Sequence, residues 1–157
     1  MCGIAGIIGK KRFSDNEIRE YLVRLRSAII HRGPDEEGEY IGKNCGFAHT
    51  RLSIVDIAGG HQPIFNDNKN TGIIYNGEVY NYLDLKKELE KKGHSFHTKT
   101  DTEVILNAYE EYGVEAFEKL NGMFSFCIWD LKNETTYLVR DPFGIKPLYI
   151  YEDYNQF

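Results

Sequence analysis

Cysteine is scarce in this chain. There are three, Cys2, Cys45 and Cys127, odd in number, far apart and without a Cys-x-x-Cys pair. That pattern argues against a disulfide framework or a cysteine zinc site and fits a reducing cytoplasm. No apolar run approaches the ~18 residues of a membrane span, and no charged n-region leads into an apolar h-region as a secretory signal requires. Positive charge is also in deficit. The formal net charge is −5, which argues against a nucleic-acid partner, and Lys10-Lys11-Arg12 and Lys91-Lys92 read as solvated surface. Repeats, low-complexity tracts and linkers are missing too, so the 157 residues suit one domain with a single core. The five histidines are scattered. His49 and His61 lack metal-ligand spacing, so no metal is expected.

What is present begins at the first residues. Met1-Cys2-Gly3-Ile4-Ala5-Gly6-Ile7-Ile8-Gly9 reads as a buried strand with a thiol at its free end. If Met1 is removed, Cys2 carries a thiol and a free α-amine on one residue, and the amine can serve as general base. An α-amine of pKa ~7.7 is roughly two-fifths neutral at pH ~7.5, where an unperturbed lysine is about a thousandth neutral. The plain alternative is a cysteine that happens to follow the start codon. If Met1 is retained, the nitrogen is an amide and the site is an unprocessed precursor.

Further along, Ser14-Asp15-Asn16-Glu17 matches a capping box that opens a helix to about Ile30, with Ile18, Tyr21, Leu22, Leu25 and Ile29 on its apolar stripe. Pro34 ends it. Gly38 to Ile41 and Cys45 to Ala48 read as strands around a turn, followed by a mixed polar-apolar segment from His49. Thr71 to Tyr75 is β-rich and stops at Asn76-Gly77, a strong turn dipeptide. Asn81 is positioned to cap a helix from Tyr82 to Lys92 that ends at Gly93. Ser95 to Lys99 reads as a strand. Thr100-Asp101-Thr102-Glu103 is a second capping box, opening a helix with Val104, Ile105, Ala108, Tyr109 and Tyr112 on its apolar side. Met123 to Trp129 alternates, with Phe124, Phe126 and Ile128 on one face and Ser125, Cys127 and Trp129 on the other. With Thr135 to Arg140 it forms a hairpin, and Leu148 to Tyr151 reads as a last strand. Cys127 is a core thiol. Helices grouped apart from strands point to α+β, with layered antiparallel sheets.

Six segments then stand in register: Cys2-Gly3-Ile4-Ala5-Gly6; His31-Arg32-Gly33-Pro34-Asp35; His49-Thr50-Arg51-Leu52-Ser53-Ile54-Val55-Asp56; Tyr75-Asn76-Gly77-Glu78-Val79-Tyr80-Asn81; Thr100-Asp101-Thr102-Glu103; and Arg140-Asp141-Pro142-Phe143-Gly144-Ile145-Lys146-Pro147. In order and spacing they resemble the class II glutamine amidotransferase domain, an N-terminal-nucleophile hydrolase, over nearly the whole chain. Ser53-Ile54-Val55-Asp56 followed by Gly60-His61-Gln62-Pro63 resembles the branch at the N-terminus of glutamine-hydrolysing asparagine synthetases.

The resemblance implies a four-layer αββα sandwich of two antiparallel sheets between helices. It implies hydrolysis of L-glutamine to L-glutamate and ammonia through a thioester on Cys2, with the Cys2 α-amine as base. Asn76 and the Gly77 N–H would form the oxyanion hole; the plain reading of that pair is a hairpin turn. Arg51 would clamp the substrate α-carboxylate, Ile54 and Val55 would line the pocket through backbone groups, and Glu78 would contribute beside them. Asp101 would take the α-ammonium; its plain reading is a first-turn helix acid. His31, Arg32, Asp35, Arg140, Asp141 and Lys146 are expected to be scaffolding, and Tyr75, Tyr80, Tyr109 and Tyr112 packing. No cofactor is implied for this half-reaction. ATP and magnesium would belong to a synthetase domain or subunit that accepts the ammonia, which residues 1–157 do not supply. Family domains usually continue with further strands, so a C-terminal truncation is expected. A homodimer is compatible with the resemblance. The rival readings are a glutaminase domain feeding another acceptor, such as a sugar phosphate, and a catalytically idle partner-binding domain of the same fold.

Overall fold

Alternation along the strands decides what faces what. In the computed structural model, which describes residues 2–53 and 59–157, the first sheet has β1 (Gly3–Ile8), β2 (Glu36–Gly42) and β3 (Cys45–Arg51). Its order is β1-β3-β2, all antiparallel. The second sheet has β4 (Ile64–Phe65), β5 (Thr71–Val79), β6 (Gly122–Asp130) and β7 (Thr135–Arg140), in sequence order and antiparallel. Helix α1 (Asp15–Ile29) covers the first sheet, α3 (Asp101–Tyr112) covers the second, and α2 (Tyr82–Lys91) packs against α3. The result is helix on sheet on sheet on helix, as expected.

Side chains on opposite faces of each strand feed different layers. On β3, Ala48 packs with Ile18 and Leu22 of α1, while Phe47 packs with Ile74, Cys127 and Trp129 of the second sheet. On β6, Phe124, Phe126 and Ile128 pack under α3 with Ile105, Leu106 and Tyr109. Ser125, Cys127 and Trp129 are buried on the alternate positions that point toward the first sheet. Trp129 stacks on Phe47 at 4.5 Å and on Tyr40 at 5.0 Å, with Phe65 edge-on at 5.6 Å. Gly72, opposite Trp129 in the ladder, leaves the room that a side chain would take from the indole.

Helix α1 begins with the expected capping box: Ser14 accepts from the Glu17 N–H, and the Glu17 carboxylate accepts from the Ser14 N–H. A 3₁₀ turn, Ile30–Arg32, closes it. Gly93 follows α2 with φ +99°, the left-handed geometry that glycine tolerates best.

Several expectations need correcting. Asn76-Gly77 is not a turn; β5 runs through it to Val79, with Asn76 opposite Ser125 and Gly77 opposite Phe124. Gly77 serves close packing instead, because a Cβ there would strike the Met123 carbonyl. β3 extends through His49, Thr50 and Arg51, since each buried polar side chain finds a partner. Ser95 to Lys99 is no strand: the His97 and Thr98 N–H groups donate to the Glu103 carboxylate at 2.7 and 2.6 Å rather than to a neighbouring strand. This diverts Glu103 from its half of a capping box, although Thr100 still caps α3. Asn81 precedes α2 but does not cap it with its side chain, which bonds to Lys119 O and to the Asn121 N–H. Leu148 to Tyr151 is irregular, without a ladder partner among the described residues, and Tyr149, Ile150 and Tyr151 are exposed.

Candidate active site

Ladder register assembles the first part of the site. Gly3 pairs with Thr50, so Cys2, one residue earlier, comes level with Arg51. On the other side of β3, Glu36 pairs directly with Arg51. Cys2, Arg51 and Glu36 therefore form a row across the end of the first sheet. The Cys2 Sγ donates weakly to the Leu52 carbonyl at 3.8 Å, and Arg32 Nε donates to the Cys2 carbonyl at 3.2 Å. The Asp35 N–H donates to the Arg51 carbonyl, and the Asp35 carboxylate accepts from the Ser53 N–H at 2.7 Å. Arg32 and Asp35 thus brace the segments that carry Cys2 and Arg51, the scaffolding role expected of them.

Arg51 is buried, with Nη1 donating to Glu36 Oε2 at 3.0 Å. Gly60 backs its guanidinium: a Cβ at Gly60 would crowd both Arg51 Nη2 and the Thr100 methyl. That close approach sets the Arg51 guanidinium beside the N-terminus of α3, where Asp101 stands.

The second sheet enters through His49. Its ring is buried, and Nε2 lies 3.2 Å from the Tyr75 carbonyl. Burial, the leading cause, pushes its pKa down to about 4, with the nearby Arg51 charge acting in the same direction. The ring is therefore neutral near pH 7, and Nε2 is its donor. This bond ties β3 to β5 one residue before Asn76. The Asn76 side chain is buried and, by alternation with Ile74, faces the gap between the sheets. There it shares with Ile4 a cleft of about 550 Å³, also lined by Ser125, Cys127 and Leu138.

Asp101 approaches the same strand from the helix side. Its Oδ2 accepts from the Tyr75 hydroxyl at 2.5 Å and from the Val79 N–H at 3.0 Å, so it spans Gly77 from both flanks. Burial raises the Asp101 pKa despite these bonds. The Tyr75 phenol is driven far above its ordinary range, first by burial and then by the Asp101, Glu78 and Cys2 charges. Glu78 is exposed at the end of β5. Ile54 and Val55 lie outside the described residues.

The structure thus brings Cys2, Arg51, Asn76, Gly77 and Asp101 to one end of the sandwich. Three residues were not expected to have a part here. Tyr75, assigned to packing, holds Asp101; His49 joins the sheets; Glu36 holds Arg51. For Tyr75 a signal existed, since its place beside Asn76 puts a hydroxyl next to the expected oxyanion pair. Among the described residues, no group of three His, Cys, Asp or Glu could hold a metal ion, and no helix is long and apolar enough to cross a membrane.

Comparison with known proteins gives a consistent picture. The family model described as "Glutamine amidotransferase domain" matches residues 1–157. Asparagine synthetase [glutamine-hydrolyzing] 1 of Bacillus subtilis is 45% identical over 150 residues, covering 95% of this chain and 24% of that protein. The Zea mays asparagine synthetase [glutamine-hydrolyzing] is 41% identical over 150 residues, covering 96% and 25%. The chain therefore spans about a quarter of the length of these relatives. Among solved structures, the glutamine phosphoribosylpyrophosphate amidotransferase of B. subtilis superposes with a TM-score of 0.69 at 21% identity, covering 92% of this chain and 38% of that one; this likeness speaks to the fold. On the match over its whole length, the chain belongs to the glutamine amidotransferase domain family.

Proposed function

We propose that this chain hydrolyses the side-chain amide of L-glutamine through a thioester on Cys2. The observation that carries this reading is the row of Cys2 and Arg51 across the first sheet, facing Asn76 and Gly77 of the second. Once Met1 is removed, the Cys2 α-amine takes the thiol proton and the sulfur attacks the amide carbon. The oxygen becomes an oxyanion, which the Asn76 carboxamide and the Gly77 N–H stabilise. Collapse breaks the C–N bond, and the α-ammonium gives its proton to the departing amide nitrogen, which leaves as ammonia. Water then adds to the thioester, with the amine again as base, and L-glutamate leaves with the thiol restored. Arg51 binds the α-carboxylate and Asp101 the α-ammonium. Glu78, at the end of β5, is assigned to the same pocket.

This half-reaction draws on no metal or organic cofactor. The relatives' names favour asparagine as the destination of the ammonia, with a synthetase domain or subunit as acceptor and ATP and magnesium acting there. The three unpaired thiols suit a reducing cytoplasm. The test is glutamate release by purified chain whose N-terminus is Cys2, as checked by mass spectrometry. Turnover is expected in that species and not in Cys2→Ala. Equal turnover in the two would exclude the mechanism.

A further inference from the structure

We infer that Glu36 is a positioning residue for the Arg51 clamp, fixing one edge of the guanidinium and with it the plane in which Arg51 meets the substrate α-carboxylate. The inference rests on the reading of Arg51 as that clamp. Glu36 sits directly across the β2–β3 ladder from Arg51, and its Oε2 accepts from Nη1 at 3.0 Å. Its other oxygen, Oε1, meets His61 Nδ1, which delivers the residue that follows Gly60 to the same carboxylate. Gly60 in turn lies against Nη2. Strand β2 and the 60–61 turn thus grip the guanidinium from two sides.

The physical need for such a grip is clear. The Arg51 side chain is only 5% exposed, and a buried guanidinium requires a counter-charge when no substrate is bound. Arginine offers five donors in one rigid plane. Fixing one edge of that plane fixes the direction of the others, which lowers the ordering cost when a carboxylate arrives. The Glu36 side chain is 29% exposed and that of His61 63%, so the hold weakens from Arg51 outward and His61 contributes least. Glu36 acts on the substrate only through Arg51.

The test is steady-state kinetics of the mature chain with L-glutamine and with L-glutamine α-amide, which keeps the scissile amide and the α-ammonium but lacks the α-carboxylate. Wild type is expected to prefer glutamine. Glu36→Ala is expected to raise KM for glutamine about tenfold, leave kcat within about twofold, and leave KM for the α-amide unchanged, so that the preference collapses. Glu36→Gln keeps an acceptor oxygen in place and is expected to restore most of the preference. His61→Ala is expected to shift KM by about twofold. An unchanged or lowered KM for glutamine in Glu36→Ala would overturn the inference, because Glu36 would then be idle or a competitor for Arg51. Equal rises in KM for both substrates would also overturn it, showing general damage to the site. If wild type itself does not distinguish the two amides, the clamp reading of Arg51 fails and the role of Glu36 falls with it. Should Glu36→Ala not fold, the isosteric Glu36→Gln is compared with Glu36→Leu by the same preference ratio.

Discussion

The gap between the two sheets has two unlike ends. At one, Tyr40, Phe47, Phe65 and Trp129 stack and interlock. At the other, β3 carries His49 and Arg51 and β5 carries Asn76, all buried. β3 passes from Phe47 through His49 to Arg51 in two steps of the pleat. The aromatic end contributes stability through area and ring contacts, each pair worth about 0.5–1.5 kcal/mol beyond burial. The polar end places buried donors and charges that a purely stabilising design would avoid. One end holds the sheets together so that the other can hold polar groups still.

Two aspartates, Asp141 buried and Asp101 half-buried, sharpen the contrast. Asp141 accepts from the backbone N–H groups of Phe124, Phe143, Ile145 and Lys146. Burial works against its ionisation, but those donors outweigh it and hold its carboxyl below the ordinary value. Asp101 accepts from the Tyr75 hydroxyl and the Val79 N–H, but there burial outweighs the hydrogen bonds and raises its pKa. Asp141 is satisfied by its own loop, which suits scaffold. On the proposed reading, the substrate α-ammonium supplies Asp101 with a counter-charge.

Four predictions test the division. Trp129→Ala is expected to cost about 3–5 kcal/mol of stability in denaturant unfolding while leaving KM for glutamine in the folded fraction unchanged; a large KM effect would show that the two ends are not separate. Asn76→Ala is expected to lower kcat by ~10²–10³ with little change in denaturation midpoint, and a kcat near wild type would remove Asn76 from the oxyanion hole. The neutral, buried His49 makes a pH prediction. Its folded pKa of about 4 lies below the ordinary 6.5, so the unfolded chain takes up a proton more readily than the native one. The His49 contribution is complete above pH 6.5 and is lost as pH falls toward 4, a swing of roughly 3 kcal/mol. Denaturation midpoints across that range should fall in wild type and fall less in His49→Asn; parallel curves would contradict the assignment. Arg51→Ala is expected to raise KM by ~10–100-fold, the worth of a charged hydrogen bond, with a smaller effect on kcat. Unaltered affinity for glutamine would rule out the clamp.

Much of this was legible in the sequence, and the failures have a common cause. Helix α1 and the β6–β7 hairpin follow from local signals, a capping box and strict alternation, and both formed as read. The segments that departed depend on distant partners. Asn76-Gly77 has turn chemistry, yet β6 pairs with it on one side and Asp101 holds Val79 beyond it, so it stays extended. Ser95 to Lys99 has strand composition, but the Glu103 carboxylate takes its N–H groups. At the site, Cys2 drew attention by its place after Met1, whereas Arg51, Asn76 and Asp101 were singled out by the resemblance to the class II glutamine amidotransferase domain, and the fold brings the four to one end of the sandwich. Glu36 and His49 were not, because each matters through one cross-strand or cross-sheet contact that sequence does not reveal.

The most direct measurement is the intact mass of the mature chain after rapid acid quench during turnover of L-glutamine. The account predicts a glutamyl adduct, mapped by peptide analysis to Cys2, in chain that begins at Cys2. Turnover with no adduct on Cys2, or with the adduct on Cys45 or Cys127, would contradict it.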